Sequence, residues 1–181
     1  ASNSINVGGE TLNVASLSPA LLADLNEVGG SEANVATGYH AVEFLLWGQD
    51  LNGTDAGAGA REWTDYAAGD ACTNDNCDRR GAYLKAAGEL LVSDLEWITE
   101  QWADGGEARE TVLEGDGVPG LTAIVTGMGS LSYGELGGER TKLGLLLHDP
   151  EEEHDCFSDN THNSHFYDAL GIQNVYLGRY T

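Results

Sequence analysis

Apolar residues recur at spacings of three and four along the middle of the chain, which is the period of an amphipathic α-helix. The clearest example runs from about residue 78 to 103, and its apolar stripe consists of Leu84, Ala87, Leu91, Leu95, Ile98 and Trp102. We predict that this stripe faces the core. Strand patterns are few, and the chain shows no internal repeat and no Rossmann or P-loop glycine pattern. The predicted fold class is all-α, a helical bundle.

Three more helices are predicted. Ser18 can cap a short amphipathic helix whose first position suits Pro19. A second helix should run from Ser31 to about Gly48, and another from Pro119 to about Leu147. Residues 50–76, rich in Gly, Asp, Asn and Thr, should form a long loop. Residues 1–181 are expected to form a single helical unit, with an internal break or a short frayed helix near 104–118 between two helical halves.

The second of these helices contains the motif "GYHAVEFLLWGQD", residues 38–50, in which a carboxylate interrupts an apolar run. His40 and Glu43 are three residues apart, so they lie on the same side of the helix. Their neighbours from 41 to 47 are otherwise all apolar, and we therefore predict that the pair is buried. A lone buried carboxylate costs several kcal/mol, so Glu43 requires a positive or strongly hydrogen-bonding partner.

Three partners are consistent with this spacing. A metal ion could bind the imidazole nitrogen and the carboxylate oxygen together, as in helical di-iron proteins. A guanidinium group could instead form a buried salt bridge, with Arg79, Arg80 and Arg140 as the candidates. The third alternative is a protonated Glu43 that serves as a general acid.

The predicted helix 119–147 contains six glycines between residues 127 and 144, and two further acids on one face. Steps of four from Leu131 reach Glu135 and Glu139, and the apolar face resumes at Leu143. Glycine costs about 1 kcal/mol against alanine in a helix interior, so either the helix is broken here or neighbouring backbones approach closely. The two carboxylates are candidates to complete a metal site, because such a site needs ligands from more than one helix.

The C-terminal segment from residue 148 contains four of the five histidines, interleaved with acidic residues. The run "EEEH" is typical of a solvated loop. "SDNTH" contains residues that fold back on their own backbone in turns. Asp159 and His162 in this second stretch are the last candidate metal ligands.

Charge and cysteine content limit the functional classes. Thirty acidic residues face eight basic ones, for a formal net charge of -22. Such a surface repels nucleic acid and anionic lipid, so we predict no nucleic-acid partner. It suits a saline habitat or cation binding. Cys72 and Cys77 frame a polar loop in which a disulfide would form in an oxidising compartment. Cys156 is then left over, as a buried thiol, as an intermolecular partner, or because the pairing is a different one.

No stretch reaches the roughly 18 consecutive apolar residues of a membrane helix, and we predict no transmembrane segment. The chain begins at Ala1 and shows no signal-peptide core. These features would suit a mature chain that was trimmed after export.

The motif around His40 resembles the signature of the imelysin-like family, also called the insulin-cleaving membrane protease or iron-regulated protein A family. Gly38, His40 and Glu43 match its hallmark Gly-x-His-x-x-Glu. The segments "CDRRGAYLKAAGELL", "TGMGSLSYGELGGER" and "CFSDNTHNS" resemble the family in the same order, so the resemblance runs from about Glu32 to the end. It implies an exported, all-helical protein of two bundles, of which this chain resembles the central part, with the motif near the cleft between them.

The resemblance also implies a location in the periplasm or at the outer membrane, and a link to iron uptake. Iron is then the expected metal, with zinc or another divalent ion as the alternative. Some members are described as metallopeptidases, but the zinc-peptidase pattern His-Glu-x-x-His is absent here. Because family members usually have additional helices, we expect self-association or complementary chains. Two alternatives remain open: a metallopeptidase, and a structural or interaction module with a buried His/Glu/Arg network.

Overall fold

The computed structural model describes residues 3–7, 9–149 and 152–179, and within them it is predominantly helical. Its two strands and seven α-helices are β1 (Ser4–Val7), β2 (Glu10–Asn13), α1 (Pro19–Leu25), α2 (Tyr39–Trp47), α3 (Cys77–Trp102), α4 (Glu107–Leu113), α5 (Val118–Gly129), α6 (Leu143–Leu147) and α7 (Thr161–Leu177). A π-helical segment, Ser130–Lys142, joins α5 to α6. The all-α prediction is confirmed, with one small addition. Strands β1 and β2 form an antiparallel hairpin that the sequence analysis did not anticipate.

Contacts divide the chain into two compact units, whose boundaries fall within α3 and in the loop after α2. The first unit comprises residues 1–49 and 60–96, and the second comprises 50–59 and 97–181. The core of the first unit is formed by Leu22 of α1, Leu45 of α2, and Ala86 and Ala87 of α3. In the second unit, α4 packs against α5, and α7 packs against the π-helical segment.

Two predicted helices are confirmed with small shifts in their bounds. The Ser18 hydroxyl accepts a hydrogen bond from the amide of Leu21 at 3.2 Å, and Pro19 occupies the first turn of α1. Helix α3 covers the stretch predicted from apolar periodicity, and Lys85 lies 3.8 Å from Glu89 on its surface. The predicted break at 104–118 contains the short helix α4.

The apolar stripe of α3 is core only in its first half. Ala86 and Ala87 are buried, whereas Leu95, Ile98 and Trp102 are exposed. Periodicity identifies the apolar face of a helix but does not say how much of it another element covers. The prediction that the entire stripe is core is therefore wrong for its second half.

The predicted start of the second helix at Ser31 is also wrong, since α2 begins at Tyr39. Asn26 explains the difference, because its side chain binds the segment that would have been helical. It accepts a hydrogen bond from the amide of Ala36 at 2.8 Å and donates one to the hydroxyl of Thr37. Such side-chain bonds compete with the helical pattern.

The C-terminal segment contains a helix that the sequence analysis did not predict. Helix α7 has no buried residue, so the periodic apolar signal by which helices are recognised is weak there. Glu151, the first residue of the acidic run "EEEH", lies outside the described residues. The stretch after it, up to Ser158, consists mainly of turns.

Candidate functional site

Two glycines in unusual backbone conformations bracket the helix that carries the His40–Glu43 motif. Gly38 precedes α2 with φ 95° and ψ -175°, and Gly48 follows it with φ 80° and ψ -172°. This region of backbone conformation is essentially restricted to glycine. The first glycine of the motif therefore sets the direction in which α2 begins, two residues before His40.

His40 and Glu43 are in direct contact on one side of α2. Nδ1 of His40 lies 2.8 Å from Oε2 of Glu43, a hydrogen-bond distance. The spacing of three residues predicted this arrangement. Because a carboxylate oxygen accepts, Nδ1 carries the hydrogen in this bond, and in the neutral imidazole Nε2 then carries the lone pair.

The burial of the pair differs from the sequence prediction. The side chain of Glu43 is 10% exposed, but that of His40 is 48% exposed. Helix α2 buries Leu45 in the core, whereas the apolar side chains of Phe44 and Trp47 are partly open to solvent. Apolar neighbours in the sequence therefore do not mean that every side of α2 is buried. The site is a buried carboxylate that holds a half-exposed imidazole.

The C-terminal end of α2 is anchored by residues 61–66, which lie within the long loop that follows it. Arg61 donates to the carbonyl oxygen of Phe44 at 3.2 Å, and its guanidinium carbon lies 5.4 Å from the centre of the Phe44 ring. The amide of Arg61 donates to the carbonyl of Trp47 at 2.9 Å, and the Tyr66 hydroxyl donates to the carbonyl of Leu45. These contacts satisfy carbonyl groups that a helix end leaves without partners.

A buried ionic network supports this anchor, and sequence reasoning missed its central residue, Asp65. Its carboxylate lies 2.9 Å from Nη1 of Arg61 and 3.9 Å from Nη1 of Arg80. The hydrogen bond from Asn74, together with the two arginines, holds the pKa of Asp65 below its usual value, although burial acts in the opposite direction. Nothing in the local pattern "WTDY" distinguishes Asp65 from a surface acid.

The arginines considered as partners of Glu43 have other contacts. Arg79 donates to the carbonyl of Val14, Arg80 binds Asp65, and Nη2 of Arg140 lies 3.9 Å from Oε2 of Glu135. The predicted disulfide between Cys72 and Cys77 is confirmed, and Cys156 is a buried cysteine outside that bond.

The other four candidate ligands belong to the second unit. Glu135 and Glu139 are both exposed in the π-helical segment. In a π-helix the backbone bonds join residues five apart rather than four, so this stretch is not the regular α-helix that the prediction assumed. Both carboxylates are open to solvent, whereas Leu131 and Leu143 on either side of them are partly buried.

Asp159 and His162, in contrast, are brought together. They line a cavity of about 550 Å³ with His148, Glu153 and His165. Nε2 of His165 is buried and makes no hydrogen bond within the described residues. A second histidine–carboxylate pair lies in the same unit, where Nδ1 of His154 is 3.0 Å from Oδ2 of Asp155. Sequence reasoning noted His154 only as one member of an acidic run.

Comparison with protein families identifies the class to which this fold and motif belong. The family model for imelysin (peptidase M75) matches residues 6–181, which is nearly the entire chain. The protein is a member of the imelysin family. A search of curated proteins finds no match. Among the described residues, no helix combines the length and the apolar character that crossing a bilayer requires.

Proposed function

We propose that this imelysin is an exported metal-binding protein of the bacterial cell envelope, that iron is its metal, and that it serves iron binding or uptake. His40 would supply a ligand through Nε2, and Glu43 would hold the imidazole in place through Nδ1. The observation that carries the proposal is the 2.8 Å contact between a half-exposed imidazole and a buried carboxylate.

The chemistry of the pair fits a metal ion. Histidines that bind metals usually donate their other ring N–H to a carboxylate or a carbonyl, which fixes the tautomer and raises ligand basicity. Imidazole is a common ligand of iron, zinc and copper. The bound ion would place a positive charge close to the carboxylate of Glu43.

Export is supported by the cysteines rather than by the motif. Disulfides persist in oxidising compartments and are rare in the cytosol, and Cys72 is bonded to Cys77. A periplasmic or cell-surface location fits this bond and the strongly acidic composition. Fractionation of the native host, with the protein detected by antibody, tests this part of the proposal.

A metal titration of the purified chain tests the central claim. Apo-protein prepared with a chelator is titrated with ferrous, ferric and zinc ions by calorimetry, and bound metal is measured by elemental analysis. His40→Ala should abolish stoichiometric binding. Glu43→Gln should weaken it by about 10- to 100-fold, the usual cost of losing a supporting hydrogen bond. Glu89→Gln is the matched control for Glu43→Gln, because it removes one carboxylate from an exposed position on α3.

The same titration ranks the remaining candidates. Asp159→Asn and His162→Ala alter the two candidates that share a cavity, whereas Glu135→Gln and Glu139→Gln alter exposed acids. A ligand substitution lowers affinity, and a substitution elsewhere does not. If the native chain takes up no metal, or if His40→Ala binds as tightly as the native protein, the proposal fails.

Two other functions compete with this one. A metallopeptidase would need a base beside the metal, but the position after His40 holds Ala41 where zinc peptidases have glutamate. Chelator-sensitive cleavage of an unfolded substrate, lost in Glu43→Gln, would favour it. A purely structural module gains support from the Asp65 network, which shows that buried charges here serve packing. In that case His40→Ala would lower the melting temperature equally with and without metal.

We also propose that the chain self-associates or binds complementary chains. The support is the number of large apolar side chains exposed on α3, including Trp97, Ile98 and Trp102. Large exposed apolar patches commonly mark interaction surfaces. Sedimentation equilibrium of the native chain and of Trp97→Glu/Ile98→Lys tests this: association should be present in the first and lost in the second.

A further inference from the structure

The first unit contains an apolar cavity that neither the motif nor the proposed metal explains. Its volume is about 500 Å³, and its walls come from the hairpin region and from α1, α2 and α3. The apolar lining includes Val14, Leu17, Leu22, Leu25, Leu45 and Tyr83. Cavities of a few hundred cubic ångströms with mainly apolar walls and a few polar groups are typical of small-molecule sites.

Three guanidinium groups line this same cavity. Arg61, Arg79 and Arg80 are among its lining residues. Among the described residues, no aspartate or glutamate lines the cavity. They make up three of the eight basic residues in a protein of net charge -22. Asp65 is the carboxylate that Arg61 and Arg80 bind. Three positive charges less one negative charge leave a local charge of about +2, opposite in sign to the whole molecule.

Arg79 differs from the other two arginines in what it binds. Arg61 and Arg80 both contact Asp65, whereas Arg79 donates to the neutral backbone carbonyl of Val14. Nε of Arg61 is also buried and donates no hydrogen bond within the described residues. The cavity therefore combines an apolar interior with donors whose charge is not balanced locally.

We propose that this cavity binds a small amphiphile, with an apolar chain among the leucines and a carboxylate headgroup at Arg79. Guanidinium groups bind carboxylates strongly because two parallel hydrogen bonds can form. The acidic surface does not prevent this, since the Debye length at physiological salt is about 8 Å and more distant exposed charges are largely screened. This site is separate from the His40–Glu43 pair and does not depend on metal binding.

Calorimetry with two probes of the same chain length separates charge from apolar burial. Decanoate and decanol are titrated into the disulfide-intact full chain at physiological salt. Decanoate should bind with one-to-one stoichiometry and at least about tenfold more tightly than decanol, the scale of one hydrogen bond to a charged group. Equal affinities for the two probes, or no binding of decanoate, would overturn the proposal.

Substitutions of Arg79, the residue proposed to bind the headgroup, provide the second part of the test. Arg79→Gln should bring the affinity for decanoate down to that for decanol and leave decanol binding unchanged, while Arg79→Lys should restore much of the preference. Lys85→Gln is the matched control, since it removes one positive charge from an exposed position on α3. If Lys85→Gln weakens decanoate binding as much as Arg79→Gln does, the effect is one of net charge and the site assignment is wrong.

A third variant tests the cavity itself. Val35 lines the cavity but is 70% exposed, so a larger side chain there can obstruct the cavity without disturbing the core. Val35→Trp should abolish binding of both probes while the melting temperature stays within a few degrees of the native value. Unchanged binding of decanoate in a folded Val35→Trp would place the ligand elsewhere and reject the proposal.

Discussion

Nη1 of Arg61 lies 2.9 Å from Oδ2 of Asp65, and these side chains are only 12% and 6% exposed. The same arginine binds the last turn of α2 through the carbonyl of Phe44. The pair thus connects the long loop to the helix that carries His40 and Glu43. Interactions around Asp65 therefore determine how firmly the motif helix is held in the first unit.

Removing the charge of Asp65 should destabilise the protein severely. Asp65→Asn keeps the shape of the side chain but leaves Arg61 and Arg80 without their counter-ion. We expect a loss of about 3–5 kcal/mol in the free energy of unfolding, the usual effect of breaking a buried pair. Urea denaturation followed by circular dichroism measures it.

The control for this experiment is the exposed pair on α3. Glu89→Gln removes the partner of Lys85, and exposed pairs contribute about 0–1 kcal/mol. A similar loss of unfolding free energy in Asp65→Asn and Glu89→Gln would mean that the Asp65 network contributes no more than an exposed ion pair.

The pH dependence of stability should reveal the same carboxylate. Because the pKa of Asp65 is lower in the folded state than in the unfolded one, its contribution is complete above the unfolded value of about 3.9. The contribution disappears as the pH falls through the folded value. The difference in unfolding free energy between the native protein and Asp65→Asn should therefore be constant near neutrality and shrink in acid. Urea titrations at a series of pH values test this, and a difference that grew in acid would contradict it.

Alanine at the two glycines that bracket α2 should be costly, and alanine within α3 should not. Gly38→Ala and Gly48→Ala place a Cβ in a backbone region that other residues avoid, which costs about 1–3 kcal/mol. Gly88→Ala is the matched control, because Gly88 lies in the helix interior with open space where the Cβ would be, and it should stabilise by about 0.5–1 kcal/mol. Thermal unfolding of the three variants provides the comparison. Effects of one sign in all three would argue against the backbone explanation.

Reducing the disulfide should loosen the Asp65 network. The bond closes the loop that contains Asn74, whose side chain donates to Asp65 and whose carbonyl accepts from Arg80. Loss of so short a loop constraint costs about 2 kcal/mol in the unfolded-chain model. Unfolding in the presence and absence of reductant measures this value. The cost should be smaller in an Asp65→Asn background, since the loop then has less to hold.

The sequence predicted the elements whose signals are local. Ser18 and Pro19 located the start of α1, apolar periodicity located α3, and the spacing of His40 and Glu43 placed them in contact. It could not give the extent of burial, because the exposure of His40 depends on which elements cover α2. The role of Asp65 could not be predicted for the same reason, since its partners lie 4, 9 and 15 residues away, two of them in the long loop and one on α3.

The remaining errors came from departures from regular geometry. Asn26 diverts the backbone before α2, and the π-helical segment changes the spacing that the analysis of Glu135 and Glu139 assumed. Helix α7 lacks the buried face that would have revealed it. In each case the deciding factor is either a contact with another part of the chain or a backbone conformation that is too rare for a general sequence rule.

The wide turns of residues 130–142 change how this part of the molecule can be engineered. Arg140 contacts Glu135, and the Thr141 hydroxyl donates to the carbonyl of Leu136, so in both cases the partners are five positions apart. A stapled side-chain bridge or a paired-cysteine probe designed for an ordinary helix spans four positions, whereas these contacts span five. Crosslinks that span five positions are the ones this stretch should accept.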